Sequence, residues 1–106
     1  MTDQKRTLLQ RAITTFGKDT QINKTVEELG ELITAIGRFE GNREATAPKY
    51  NRMMDNIAEE IADVRIMMYQ LCMIYDLEER AVQWEYYKLG RLKDRLDSEE
   101  RAHGKE

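Results

Sequence analysis

Apolar residues recur along the chain at intervals of three and four, and no alternating pattern typical of strands extends over a useful length. This periodicity predicts four helices. The first helix is predicted to run from about Asp3 to Phe16, with Asp3 as its N-cap and with Leu9, Ile13 and Phe16 on one buried face. Gly17 follows directly and is predicted to end the helix in a left-handed conformation.

The second helix is predicted to begin at Asp19 and to end near Gly41 and Asn42. Its apolar positions follow steps of four, three, four and three, which predicts one continuous buried stripe. The members of this stripe are Ile22, Val26, Leu29, Ile33 and Ile36. Residues 40–47 form a polar connection, and Pro48 suits the first turn of a third helix.

The third helix has the most regular apolar pattern in the chain, with steps of three and four that repeat every seven residues. Its stripe consists of Met54, Ile57, Ile61, Val64, Met68, Leu71 and Tyr75. Further apolar residues outside the stripe predict that this helix is central and packs on more than one side. They include Met53, Ile66, Met67, Met73 and Ile74.

The fourth helix is predicted to open on a capping box formed by Asp76 and Glu79. Its predicted buried face consists of Val82, Tyr86, Leu89, Leu92 and Leu96, and the tail after Asp97 is predicted to fray. The pattern as a whole predicts an all-α, four-helix bundle-like protein with a single domain over residues 1–106.

Composition narrows the class of protein. The chain has 106 residues, 41% of them hydrophobic and 35% charged, which favours a folded helical domain over a disordered chain. A net charge of −3 argues against stable nucleic-acid binding. No segment has the roughly 18 apolar residues of a membrane span, and the single Cys72 cannot form an intramolecular disulfide. A cytoplasmic protein without membrane partners is expected, and its modest size favours oligomerisation.

Two carboxylate pairs provide the candidate chemistry. Glu28 and Glu31 lie three residues apart on the second helix, and Glu60 and Asp63 lie three apart on the third. Three residues turn a helix by about 300°, so the members of each pair share a face one turn apart. Glu28, Glu60 and Asp63 each directly precede an apolar stripe residue. Both pairs therefore flank the predicted core.

Antiparallel packing of the second and third helices would bring these four carboxylates together. Their mutual repulsion in a partly buried place favours either protonation or a bound cation, and Mg²⁺ prefers such oxygen ligands. The alternative is that each pair is simply solvated, because Glu is a strong helix former. Glu27 and Glu59 point further outward and are expected to be surface residues.

The run Glu27-Glu28-Leu29-Gly30-Glu31-Leu32, followed by Glu60-Ile61-Ala62-Asp63-Val64, resembles the MazG-type members of the all-α nucleotide pyrophosphohydrolase superfamily. The resemblance extends from about Phe16 to Arg95. It implies that Glu28, Glu31, Glu60 and Asp63 are catalytic residues that bind Mg²⁺, with Mn²⁺ as a substitute. It also implies hydrolysis of nucleoside triphosphates to monophosphate and pyrophosphate, which would be nucleotide-pool house-cleaning. The apolar excess of the third helix predicts assembly into a homodimer or homotetramer, and sites shared by two subunits are common in the resembled superfamily.

Five further residues are candidates for binding the nucleotide substrate. Gln21 and Lys24 extend the carboxylate stripe of the second helix, and Asn56 lies one turn before Glu60. The segment Lys88-Leu89-Gly90-Arg91-Leu92 resembles the basic segment of the same superfamily, so Lys88 and Arg91 are predicted to offset charge as pyrophosphate leaves. Solvent exposure or pairing within a helix is the alternative for each of these side chains.

Three alternatives to this function remain at the level of sequence. One is a pyrophosphohydrolase specific for dUTP or phosphoribosyl-ATP, which are substrates within the same superfamily. Another is a non-enzymatic helical oligomerisation module, which the seven-residue repeat of the third helix favours. The third is a nucleic-acid binder, which would have to bind duplex or single strands despite the acidic balance of the chain.

Overall fold

The computed structural model describes residues 1–104, which form four helices and no strand. The helices are α1 (Asp3–Phe16), α2 (Lys18–Glu40), α3 (Ala47–Tyr75) and α4 (Glu78–Gly104). The all-α prediction is therefore confirmed. The chain divides into two compact units, and the division falls between Tyr75 and Asp76. No helix within the described residues is long and apolar enough to cross a membrane.

Helix α1 has the predicted bounds but a different N-cap. The Thr2 hydroxyl accepts a hydrogen bond from the Lys5 backbone N–H at 3.2 Å, whereas Asp3 already belongs to the first turn. The prediction of Asp3 as N-cap is wrong because a hydroxyl one position earlier caps the helix equally well. Gly17 has φ 94° and ψ 148°, so its φ is positive as predicted, but the residue is not left-handed helical.

Helices α2 and α3 pack against each other as an antiparallel pair. Gln21 near the start of α2 donates from Nε2 to Oε1 of Gln70 near the end of α3, at 2.7 Å. At the other end, Phe39 and Tyr50 meet edge to face with ring centroids 5.6 Å apart. The turn between the helices spans residues 41–46, and Pro48 lies in the first turn of α3 as predicted.

The face that α2 turns to α3 differs from the predicted apolar stripe by one residue. Its buried side chains are Gln21, Thr25 and Ala35, and Glu28 and Leu32 are half-buried on the same face. In the predicted stripe, by contrast, Val26 is 67% exposed and Ile33 is 71% exposed. One residue corresponds to a rotation of about 100°, so the stripe runs along the side of α2 rather than facing α3.

The packing face of α3 also differs from its predicted apolar stripe by one residue. Its buried residues are Met53, Met67 and Gln70, and the half-buried Asn56, Glu60 and Asp63 share their spacing. Of the predicted stripe, Ile61 and Tyr75 are exposed and the other members are half-buried. Polar side chains can occupy the α2·α3 interface because several of them are paired there; Thr25, for example, donates its hydroxyl to the Gln21 carbonyl at 2.8 Å.

Helix α1 packs on both α2 and α3 and buries Leu9 and Ile13. Phe16, which was predicted on this buried face, is 62% exposed, because it lies at the last residue of α1 where the chain turns away. The Lys5 ammonium lies 4.8 Å from the centroid of the Tyr69 ring on α3, a cation–π contact.

Helix α4 begins at Glu78, one residue later than the predicted capping box requires. Asp76 has φ 55°, a left-handed conformation that Asp tolerates, and the Leu77 carbonyl accepts the first helical hydrogen bond from Ala81 N–H at 2.9 Å. Leu77 is thus the cap, and the Asp76–Glu79 capping box is wrong.

The side chains of α4 also differ from the prediction. None of them is buried in the single chain, and Val82 and Tyr86 of the predicted buried face are 66% and 83% exposed. The helix continues to Gly104, beyond the predicted fraying point, and an ion pair at 2.7 Å between Lys93 and Asp97 lies in the turn just before that point.

Candidate functional site

Three carboxylates converge in the middle of the α2·α3 interface. Glu28 comes from α2, Glu60 and Asp63 come from α3, and one oxygen of each lies within 4.8 Å of the others. All three residues are half-buried. Antiparallel packing produces this arrangement, because Glu28 and the pair Glu60 and Asp63 lie on the faces that the two helices turn to each other.

Two oxygens of this cluster are buried and unpartnered. Glu28 Oε2 and Glu60 Oε2 are both shielded from solvent, and neither has a hydrogen-bond partner. An unpaired buried polar atom destabilises the folded state, and it does so more strongly when it carries charge. These two oxygens therefore need either a proton or a cation to stabilise them.

The pKa of the Glu28 carboxyl lies above its ordinary value of 4.5. Burial is the main cause. A hydrogen bond with Glu31, which requires one of the two carboxyls to be protonated, and the negative charges of Glu31 and Asp63 act in the same direction. Lys24 opposes the increase through its ammonium, which lies 3.9 Å from Glu28 Oε1.

The pKa of the Glu60 carboxyl is also raised. Burial raises the pKa of its carboxyl above 4.5, and the charges of Glu31, Asp63 and Glu59 raise it further. Glu28 and Glu60 thus come from different helices, yet folding disfavours the ionised form of both. The site therefore carries an excess of negative charge, and Lys24 alone does not balance it.

Glu31 belongs to the edge of this cluster. Its side chain is exposed, but it interacts with both Glu28 and Glu60. The four carboxylates predicted from the two sequence motifs are therefore neighbours. Glu27 and Glu59 are exposed, as predicted for surface residues.

The donor set fits a hard divalent cation. It consists of carboxylate oxygens alone, two of them buried without partners, and Mg²⁺ and Mn²⁺ favour oxygen ligands of this kind. Glu28, Glu60 and Asp63 would hold the ion, and Glu31 is near enough to join them. A bound cation would remove both the repulsion and the two unsatisfied oxygens.

Two of the predicted substrate-binding residues lie beside the cluster on α2. Lys24 is exposed and faces Glu28, so its ammonium is at the rim of the site. Gln21 is 3% exposed, and its Nε2 donates to Gln70. A substrate contact by Gln21 stays a prediction, and the amide that would make it is occupied within the interface.

The remaining predicted substrate residues lie elsewhere. Asn56 is half-buried one turn before Glu60 and lines a cavity. Lys88 and Arg91 share one side of α4 with Leu92 and Arg95, and the Arg91 guanidinium lies 5.9 Å from the centroid of the Tyr87 ring. These two basic residues belong to the second unit, so their part in substrate binding stays a prediction.

Three basic residues near the α2–α3 turn were missed by sequence reasoning. Arg38, Lys49 and Arg52 surround the same cavity as Asn56. Their spacing could have indicated this, because an antiparallel pair joined by a short turn brings the last turn of α2 beside the first turns of α3. Apolar periodicity alone does not indicate these residues, because the apolar stripes lie on other faces of α2 and α3.

No protein-family model matches the chain, and neither the curated proteins nor the solved structures contain a significant match to it.

Proposed function

We propose that this protein is an Mg²⁺-dependent nucleoside triphosphate pyrophosphohydrolase, in which Glu28, Glu31, Glu60 and Asp63 form the metal-binding active site. The observation that supports the proposal most strongly is the pair of buried, unpartnered oxygens on Glu28 and Glu60, directed into a cluster of acidic side chains. The two sequence motifs that resemble MazG-type enzymes contribute these same residues.

In this proposal, divalent ions supply charge neutralisation for the phosphates and lower the pKa of water in the site. Glu28, Glu60 and Asp63 hold the ions, and the α2·α3 interface orients these carboxylates before substrate arrives. Glu31, which is both exposed and adjacent to Glu28 and Glu60, is the member best placed to face substrate and water.

The reaction consumes one water per nucleotide. The water oxygen forms a bond to the α-phosphorus, and the bond from that phosphorus to the oxygen bridging the α- and β-phosphates breaks. The electron pair of the broken bond leaves with pyrophosphate, and the proton released from water passes to a carboxylate or to solvent. Lys88 and Arg91 are the predicted cations that offset the charge on pyrophosphate as it departs.

Release of pyrophosphate from a panel of nucleotides tests this function. We expect release from the wild-type protein with Mg²⁺ or Mn²⁺ and none with a chelator. The panel includes dUTP and phosphoribosyl-ATP, so it separates a general activity from the two specific alternatives. Glu28→Gln and Glu60→Gln are expected to reduce kcat/KM by roughly 10²-fold or more, because each removes a charged ligand from the site.

The matched control is Glu27→Gln, which makes the same change at the neighbouring exposed residue of α2. It is expected to retain wild-type turnover, and circular dichroism establishes that all variants keep their helices. Absence of pyrophosphate from every nucleotide would remove the enzymatic function. Equal turnover in Glu27→Gln and Glu28→Gln would show that the site is elsewhere.

We also propose that the enzyme works as a homodimer or homotetramer. In one chain the apolar stripe of α2 remains exposed from Val26 to Ile36, about three turns, and Val26 and Ile33 are its most exposed members. A continuous apolar surface of this kind on a folded protein marks an interaction site. A second copy of the chain is the proposed partner, because the stripe of one α2 is complementary in character to the same stripe of another.

A further inference from the structure

A basic cavity lies at the end of the α2·α3 interface that is closed by the turn. Its volume is about 350 Å³, and residues from α2, the turn and α3 contribute to it. The cavity is lined by the polar side chains of Arg38, Asn42, Lys49, Arg52 and Asn56. The apolar side chain of Met53 also lines it. Within the first unit it is distinct from the carboxylate cluster, and the reaction described above does not use its three cations.

The charge of this cavity is unbalanced. Three of its residues carry a positive charge, and no acidic residue lines it. Among the described residues, the guanidinium groups of Arg38 and Arg52 form no ion pair, so their hydrogen-bond donors are available. Arginine presents a planar set of donors that matches the oxygens of a phosphate group.

Asn42 positions the third cation. Its Nδ2 donates to the Arg38 carbonyl at 2.8 Å, which fixes the direction of the amide, and its Oδ1 accepts from Lys49 Nζ at 3.0 Å. The ammonium of Lys49 is thereby held across the turn toward α2, with further protons free for a ligand. The cations therefore converge from both helices on one concave surface.

The cavity also lies close to the carboxylates along the same interface. Asn56, which lines it, precedes Glu60 by four residues, about 6 Å of helix. Arg52 precedes Asn56 by another four residues, so it lies about 12 Å from Glu60 along the helix axis. An interface with acidic residues at its centre and basic residues at one end suits a ligand whose phosphate chain extends between a metal ion and fixed cations.

We infer that this cavity binds the terminal phosphates of the nucleotide, the part released as pyrophosphate, and this inference rests on the proposed function. Arg38 and Arg52 contact phosphate oxygens directly, and Lys49 supplies a third charge. Asn42 is a positioning residue that acts through Lys49. Negative charge that develops on pyrophosphate as the bond breaks is stabilised by these cations.

Binding of inorganic pyrophosphate to the metal-free protein tests the inference without requiring catalysis. Calorimetric titration in the presence of a chelator is expected to show saturable binding to the wild type. Arg38→Gln and Arg52→Gln are each expected to weaken it about tenfold or more, because each removes a charge-assisted hydrogen bond. The control is Arg65→Gln, which removes an exposed charge from α3 outside the cavity and is expected to leave the affinity unchanged.

The outcomes separate this inference from the proposed function. If the wild type hydrolyses nucleotides and both cavity variants keep wild-type pyrophosphate affinity and KM, the inference is overturned while the function stands. If no nucleotide is hydrolysed but pyrophosphate binding depends on Arg38 and Arg52, the cavity is a phosphate site and the function fails. Displacement of pyrophosphate by a single-stranded oligonucleotide, but not by a nucleotide, would overturn the assignment to nucleotide.

Discussion

A carboxyl group whose pKa is raised by folding stabilises the protein only while it holds its proton. Glu28 and Glu60 are two such groups, since burial and neighbouring carboxylates raise the pKa of each above 4.5. Between 4.5 and the raised values the folded state binds more protons than the unfolded state. The free energy of unfolding therefore falls as pH rises through this window. The two carboxyls contribute their full stabilisation below about pH 4.5.

This linkage predicts an unusual pH dependence for the metal-free protein. Its melting temperature, followed by circular dichroism with a chelator, is expected to decline as pH rises above 4.5 through the raised pKa values of these two carboxyls. A Glu28→Gln/Glu60→Gln double variant is expected to show a flatter profile, because it lacks both titrating groups. A melting temperature that rises with pH, or equal slopes in the two proteins, contradicts the placement of these carboxyls.

Replacement of Glu60 alone gives a second test at the residue scale. Glu60→Gln removes one charge from the cluster, so at neutral pH we expect a higher melting temperature for the metal-free variant than for the wild type. The same substitution at Glu27, which is exposed, is expected to leave the melting temperature unchanged. If Glu60→Gln destabilises the metal-free protein, repulsion within the cluster is not the governing interaction.

At the scale of helices, the sequence predicts the number, order and approximate bounds of α1 to α4, because periodicity and chain breakers are local properties. It misplaces the packing faces of α2 and α3 by one residue. Apolar periodicity identifies the most apolar face, but the face that packs within the chain carries Gln21, Thr25 and Glu28. Gln21 is paired with Gln70 of the partner helix, Thr25 is paired with the Gln21 carbonyl of its own helix, and one oxygen of Glu28 has no partner. Which groups α3 brings to this face is not local information.

The clustering of the carboxylates, by contrast, could be predicted from the sequence. The spacing within each motif puts two acids on one helix face, and antiparallel packing then suffices to bring Glu28 to Glu60 and Asp63. The basic cavity was not predicted because Arg38 lies on α2, Lys49 and Arg52 lie on α3, and no motif connects them. Their proximity depends on how the turn between α2 and α3 closes.

The hydrogen bond between Gln21 and Gln70 provides a prediction for the α2·α3 pair. Both amides are buried, so Gln21→Met leaves the Gln70 side chain without its partner and should cost about 1–3 kcal/mol in the free energy of unfolding. The Gln21→Met/Gln70→Met double variant should recover part of that loss, because no unpaired amide remains. Urea denaturation of the two single variants and the double variant measures the coupling. Strictly additive effects would contradict a direct interaction.

At the scale of the whole molecule, one chain leaves the apolar stripe of α2 uncovered. If a second copy covers it, Ile33→Glu should disrupt the assembly and lower the mass measured by light scattering after size-exclusion chromatography. Thr34→Glu places the same charge at the next residue, outside the stripe, and should preserve the wild-type mass. A monomeric wild type, or equal masses for both variants, would contradict association through this face.

We propose that the acidic cluster between α2 and α3 is a divalent cation site, and titration of the metal-free protein with Mg²⁺ measures the binding that this claim requires. Isothermal calorimetry is expected to show saturable binding to the wild type and to Glu27→Gln, and to lose that binding in Glu28→Gln. No saturable binding to the wild type, or the same isotherm for Glu27→Gln and Glu28→Gln, would contradict the claim.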